Sequence, residues 1–461
     1  MKKNYLLGMA LMASLSFYSC DKEVVYVQDG NGVESVADGA QIITLQVENG
    51  GDGLATRAGR PLYSAEAKQT IENVKLWICD GDGAGNVKYV KEISDWNTDD
   101  VSTVYTTGGH GRQTTIELKD ADKLAAGTYQ IYAVGYSATS DYDLTKVTEV
   151  KKTEEGEGKY TFSENMVLPI KGDATNKIGE EIFAGQMELT VEQGKGFKKP
   201  IVLNRQVAGA FAYVKDIPYM EGAKYLKLVA SAQNQSLVLG NFNSFDLTGN
   251  GSGNGKNVKY VVNGTSGKAD GSDTYVISTI DLNDWFTAIK DEDGDNLIDA
   301  GKNWKNPHRP SGSPAAGTYP TFQKGSAFGG EFVIPFAHVD GKQTLTLQLT
   351  NAGGKVLRSW KVNLGSTDEQ LKQTITCWNS GSTDWSTSLS GESANTYSLV
   401  RNHLYGIGTR MNDEANPGKP GVDPDPDPKN PNDKPESLNN KQELVLKVND
   451  NWEVIHGMEL D

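Results

Sequence analysis

The stretch Gln442-Glu-Leu-Val-Leu-Lys-Val-Asn-Asp-Asn-Trp-Glu-Val-Ile-His-Gly-Met-Glu-Leu-Asp461 ends the chain in two runs joined by the turn-like Asn449-Asp450-Asn451. In the first run Leu444, Leu446 and Val448 alternate with Val445 and Lys447. In the second, Trp452, Val454, His456, Met458 and Leu460 alternate with Glu453, Ile455, Gly457 and Glu459. A period of two is the mark of a half-buried strand. The chain reaches this stretch through residues 416–435, where prolines alternate with aspartate, lysine and asparagine. Proline lacks the amide donor, fixes its own φ and pushes the preceding residue to extended geometry, so this linker is expected to be a semi-stiff, solvated arm. A strand on such an arm, with no partner beside it in sequence, suits donation to another molecule. It suits equally a fold-back that completes the chain's own sheet, and the pattern leaves both open.

The 461 residues suffice for two domains, each with its own core. With 51 glycines, 19 tyrosines and 37% hydrophobic residues, the composition is that of a turn-rich β protein. The net charge of -15 argues against nucleic acid as a partner, because phosphate binding is driven by clustered Lys and Arg. It names no partner of its own.

At the start of the chain Lys2-Lys3 precede an apolar run from Tyr5 to Phe17, which ends in Tyr18-Ser19-Cys20. A basic segment before a short apolar one reads as an export signal. Small residues before a cysteine resemble a bacterial lipoprotein signal, which implies cleavage before Cys20 and a diacylglycerol on its sulfur; plain secretion is the other reading. Cys79 and Cys377 are far apart and lack neighbours at metal-ligand spacing. Cys79 lies in an apolar strand run, as a buried structural thiol would.

After a polar tether, the first strand is about Ile42 to Val47, with Ile43, Leu45 and Val47 on one face. It is followed by a glycine- and arginine-containing loop, Asn49 to Pro61, open to proteolysis. Further strands are read at Ile71–Ile78, Thr114–Leu118, Gly127–Gly135, Tyr160–Phe162, Met166–Ile170 and Met187–Val191. A second set runs from Pro200–Val214 through Tyr225–Ala230, Tyr275–Ile280 and Gly330–Phe336 to a hairpin over Thr344–Leu364 that turns at Asn351-Ala-Gly-Gly354. Thr396 to Gly408 closes this set. No long amphipathic helical window appears, so the expectation is all-β, with two β-sandwich domains meeting near residue 198.

Several of these pieces, in this order, resemble the fimbrillins of Bacteroidales type V pili. They are the signal ending at Cys20, the early strand followed by Leu54-Ala-Thr-Arg-Ala-Gly59, the strand Ile71-Glu-Asn-Val-Lys-Leu-Trp-Ile78, Val202-Leu-Asn-Arg-Gln-Val-Ala208, Val400-Arg-Asn-His-Leu-Tyr405, and the Pro/Asp linker with its terminal strand pair. The resemblance implies two transthyretin-like β-sandwich domains and assembly by protease-triggered strand exchange. Carried onto this chain, it implies a signal peptide over 1–19, a propeptide over 20–57, sandwiches over 58–197 and 198–411, a linker over 412–441 and a donor tail over 442–461. An arginine-specific protease would cut between Arg57 and Ala58; Arg60 competes less well because Pro61 follows it. The displaced strand would carry Ile43, Leu45 and Val47. The donor would carry Leu444, Leu446, Val448, Trp452, Val454, Met458 and Leu460, on a tail expected to be poorly fixed before the cut. The implied product is a non-enzymatic pilus subunit, made as a lipidated outer-membrane precursor and ending in a surface fimbrium. Its partners would be identical or related subunits, with a tip or accessory adhesin as the near alternative.

Asp291, Asp293, Asp295 and Asp299 stand at positions 1, 3, 5 and 9 of a calcium-loop pattern, whereas Asn296 and Lys302 occupy positions that call for glycine and glutamate. Calcium binding and a solvated acidic loop are both open; no other cofactor is expected. Gly249 to Lys256 lacks the spacing of a phosphate loop. The histidines, including His456, form no local catalytic pattern. Trp285, Trp304, Trp378 and Trp385 are the platforms that an alternative, glycan-binding surface lipoprotein would use.

Overall fold

The computed structural model describes residues 26–28, 34–36, 39–48, 71–81, 87–105, 111–148, 165–172, 180–240, 260–269, 275–305, 322–337, 345–365, 375–389, 398–402, 404–408, 435–439 and 443–449. In the first half the strands are β1 (Tyr26–Gln28), β2 (Glu34–Val36), β3 (Gln41–Glu48), β4 (Asn73–Asp80), β5 (Val87–Ile93), β6 (Thr103–Tyr105), β7 (Gly111–Leu118), β8 (Gly127–Tyr136), β9 (Met166–Pro169), β10 (Phe183–Val191) and β11 (Phe197–Arg205). The second half begins with β12 (Ala208–Lys215), β13 (Ala223–Ala230), β14 (Ala232–Gln233), β15 (Ser236–Leu239), β16 (Tyr260–Val262), β17 (Gly264–Thr265) and β18 (Lys268–Ala269). It continues with β19 (Tyr275–Asp281), β20 (Ala327–Val333), β21 (Leu345–Asn351), β22 (Val356–Gly365), β23 (Ile375–Asn379), β24 (Asp384–Leu389), β25 (Leu404–Ile407), β26 (Glu436–Ser437) and β27 (Glu443–Asn449). The α-helices described, α1 (Thr145–Thr148), α2 (Leu282–Trp285) and α3 (Ala300–Asn303), are single turns. The protein is all-β, as the patterning predicts.

One sheet runs β5-β4-β8-β10-β11-β3-β7-β6 and folds on itself at β11. The end of β11 pairs with β10, Arg205 opposite Phe183, while Phe197 to Leu203 run parallel to Gln41 to Val47 of β3. The two leaves enclose a core of Ile43, Leu45 and Val47 with Val74, Leu76, Ile78, Ile131 and Leu203. β4 and β8 are buried on both faces, which is why they read as continuous apolar runs rather than alternations. Their second face, with Trp77, Cys79, Tyr132 and Tyr136, joins a larger cluster that extends into the second half of the chain.

The second large sheet runs β19-β13-β21-β22-β27-β25-β12-β20, with β26 beside β12. A small sheet, β17-β15-β9, ties the halves together, because β9 comes from the first and pairs Met166 with Leu239. The run 200–214 is therefore two strands in two sheets, broken at Gln206-Val207, and residue 198 lies inside β11 of the first sheet. The sequence conceals this break because apolar residues continue through it. β5 was not anticipated: Lys88, Lys91 and Glu92 break its pattern, as suits a strand on a sheet edge. The expected strand Tyr160–Phe162 lies outside the described residues.

The carboxyl-terminal stretch departs most from expectation. Residues 443–449 do not form a loosely fixed tail; they are β27, an interior strand of the second sheet. Glu443 to Lys447 run parallel to Lys361 to Gly365 of β22, and Leu446 to Asn449 run antiparallel to Ile407 to Leu404 of β25. Leu444 is 1% exposed. The fold-back alternative thus describes this run, because the sheet offers two free strand edges and an apolar floor at that place.

Candidate functional site

β3 is an interior strand of the first sheet. Its even-spaced partners in sequence, Ile43, Leu45 and Val47, are all 0% exposed. On one side β3 pairs in parallel with β11; on the other it pairs antiparallel with β7, from Gln41 opposite Leu118 to Glu48 opposite Gly111. Full burial of three such side chains contributes on the order of 4.5–9 kcal/mol gross. Losing β3 would leave a channel floored by the core residues that now pack with it, such as Leu76 and Ile131, and walled by two unpaired strand edges, a template for another strand.

The start of β3 is clasped. The Gln41 side-chain amide donates to the Leu124 carbonyl at 2.9 Å, and Leu124 N–H donates back to Gln41 Oε1 at 2.7 Å. Phe197 N–H donates to the Ala40 carbonyl at 2.8 Å. Gly196 lies so close that a Cβ there would overlap the Ala40 carbonyl oxygen. Along the strand, Gln46 Nε2 donates to Gln113 Oε1 at 3.0 Å.

The two motifs Val202–Ala208 and Val400–Tyr405 meet where the sheets join. Asn402 N–H donates to the Val207 carbonyl at 2.8 Å. Arg401 Nη1 donates to Gln206 Oε1 at 3.1 Å and to the Gly240 carbonyl at 2.7 Å, and Asn263 Nδ2 donates to the Gln206 carbonyl at 3.0 Å. Burial pulls the Arg401 pKa down to about 9. Arg205 pairs with Glu181 at 2.7 Å, both nearly free of solvent. Its guanidinium carbon lies 5.0 Å from the Phe183 ring and 5.8 Å from that of Phe332 in β20, so it bridges the two sheets. Neither arginine stands in a local pattern that assigns it a role; Arg205 is marked only by its place at the end of an apolar strand run.

Asp291, Asp293 and Asp295 each offer a carboxylate oxygen within 4.8 Å of the others. Asn296, at φ 65°, supplies the left-handed backbone that glycine usually gives there, and asparagine tolerates it. Asp299 is turned to another task, capping α3 by accepting from Gly301 N–H at 2.7 Å. Lys302 pairs with Glu292 at 3.2 Å, a cation where a calcium loop needs a bidentate acid. Three carboxylates of the four therefore converge.

Trp285 is 3% exposed, packed edge-on to Phe322, and so is no platform. Trp304 is partly buried and donates to the Ser326 carbonyl at 2.7 Å. Trp378 and Trp385 are half-buried and meet edge-to-face with centroids 5.1 Å apart. The expectations at Cys20, Arg57, Ala58, Arg60, Gly249–Lys256, Trp452, Val454, His456, Met458 and Leu460 lie outside the described residues.

No protein-family model matches the chain, and no curated protein matches it. Among solved structures it is similar to a fimbrial assembly protein from Parabacteroides distasonis, at 12% identity over 78% of this chain and 98% of that one, with a TM-score of 0.32. It is similar to the tip fimbrial protein of Porphyromonas gingivalis, solved with a carboxyl-terminal truncation, at 10% identity over 80% and 93% of the chains and a TM-score of 0.35. It is similar also to the fimbrial anchor protein of that organism, at 10% identity over 78% and 99% of the chains and a TM-score of 0.30.

Proposed function

We propose that this chain is a structural subunit of a surface fimbrium, exported as a lipoprotein through Cys20 and matured by cleavage between Arg57 and Ala58. The observation that carries the reading is the setting of β3: an apolar strand seated between two others, joined to β4 only through the Arg-containing stretch. Cleavage there leaves β3 held by pairing and burial alone, so an incoming strand can replace it bond for bond. The donor in this reading is the second run, Trp452 to Leu460. Leu444, Leu446 and Val448 are committed to the chain's own sheet and anchor that donor instead. Trp452, Val454, Met458 and Leu460 contribute on the order of 6–12 kcal/mol gross on full burial, before the cost of association. That range is comparable with what β3 gives up.

The test is digestion of the purified precursor with an arginine-specific protease, followed by N-terminal sequencing and sizing. A variant lacking residues 450–461, which keeps β27, is treated in parallel. A new amino terminus at Ala58, with polymer ladders from the full chain only, is the expected result. A clean cut without ladders would favour a tip or accessory adhesin. No cut at Arg57 would overturn the maturation scheme.

A further inference from the structure

β27 is held in a geometry that suits resistance to pulling. β13 is antiparallel to β21, β21 is antiparallel to β22, and β22 is parallel to β27. β13 and β27 therefore point the same way. By register Ala223 lies at one end of the sheet, Glu443 stands level with Val229 near the far end of β13, and Asn449 lies further along the same direction. Tension applied to the chain beyond Asn449, and resisted at the start of β13, runs along the strand axis. The bonds from β27 to β22 and to β25 are then loaded together instead of opening one by one. Leu444, buried near the far end of the strand, is the last apolar side chain to reach water. Upstream lies a second hold: β26 pairs with β12, and Leu438, 0% exposed, donates its N–H to the Lys215 carbonyl at 2.9 Å.

We propose that the second sheet is a mechanical clamp, in which β27 bears tension from the tail in shear and β26 acts as a second stop. This goes beyond the fimbrial reading, because it is a property of one folded chain whether or not that chain polymerises.

The test is single-molecule force spectroscopy on the full chain, with handles joined to a peptide tag at the exposed Glu221-Gly222 turn and to one at the carboxyl terminus. A second arrangement moves the first tag to follow Gly365, the residue opposite Lys447, so that the same strand is peeled from its end. The expected result is a first rupture at severalfold higher force in the first arrangement. It is followed by two steps: a short one as β27 leaves and a longer one as β26 lets go, each released residue adding about 3.5 Å. A disulfide made by Lys361→Cys with Glu443→Cys, which pair directly across the strands, should remove the short step. Equal rupture forces in the two arrangements would overturn the clamp. So would a first step long enough to be the opening of the whole sheet, or a short step that survives the disulfide.

Discussion

Cys79 is 1% exposed on the face of β4 that joins the cluster shared with the second half of the chain, and burial with Asp80 nearby pushes its thiol from 9.0 up to about 12. A group whose folded pKa is raised contributes stability that is fully present below its unfolded value and is lost as pH rises through the folded one. The window here runs from about 9 to about 12, with a total on the order of 4 kcal/mol. Denaturant midpoints at pH 8 and pH 11 should therefore fall further apart in the native chain than in Cys79→Ala. Tyr136 is also pushed up, by burial and Glu92, but stays in both proteins and cancels in the comparison. Equal slopes in the two proteins would show that the thiol is not desolvated as the fold requires. The apolar run around Cys79 made this residue's burial legible in the sequence. Arg401 was not legible, because its partners Gln206 and Gly240 lie far away along the chain.

At the scale of elements, the hold on β3 is concentrated at its start, where Gly196 approaches Ala40 too closely for any side chain. Gly196→Ala must push the two backbones apart, at about 1–3 kcal/mol for an overpacked site. The hydrogen bond from Phe197 N–H to Ala40 and the Gln41 pair with Leu124 are the first to suffer. Hydrogen exchange should quicken at residues 41–44 more than at 46–48 in this variant, and displacement of β3 after proteolysis should be faster. Uniform exchange along β3 would mean that the clasp does not govern it. β3 was readable from sequence because one face is buried and the alternation survives. β27 shows the same alternation, yet period two tells only that a strand has a buried face, not whose sheet supplies it. Its neighbours β22 and β25 are set by long-range pairing, parallel to the first and antiparallel to the second, which leaves no local signal. β11 and β12 merged in the reading for the opposite reason: both are apolar enough to hide the two residues between them.

For the whole molecule, the question is whether the two large sheets melt together. Their shared cluster contains Trp77 and Tyr132 from the first and Phe211, Leu347 and Trp360 from the second. The pairing of β9 with β15 adds a sheet that belongs to both halves. Arg205 and Arg401 sit at the same join, each buried, the first bonded to Glu181 and the second to Gln206 Oε1 and the Gly240 carbonyl. Sheets coupled in this way should unfold in one calorimetric transition, with the calorimetric enthalpy matching the van't Hoff value. Arg401→Met keeps the bulk of the side chain and removes its donors, leaving Gln206 Oε1 and the Gly240 carbonyl without those bonds, at about 1–3 kcal/mol for each orphaned group. The penalty falls on the join and not on either core. The expected scan of the variant therefore shows two transitions, or one whose van't Hoff enthalpy falls below the calorimetric one. A variant that merely melts earlier in one sharp transition would place Arg401 in an ordinary core. Two transitions in the native chain would mean that the shared cluster does not couple the sheets.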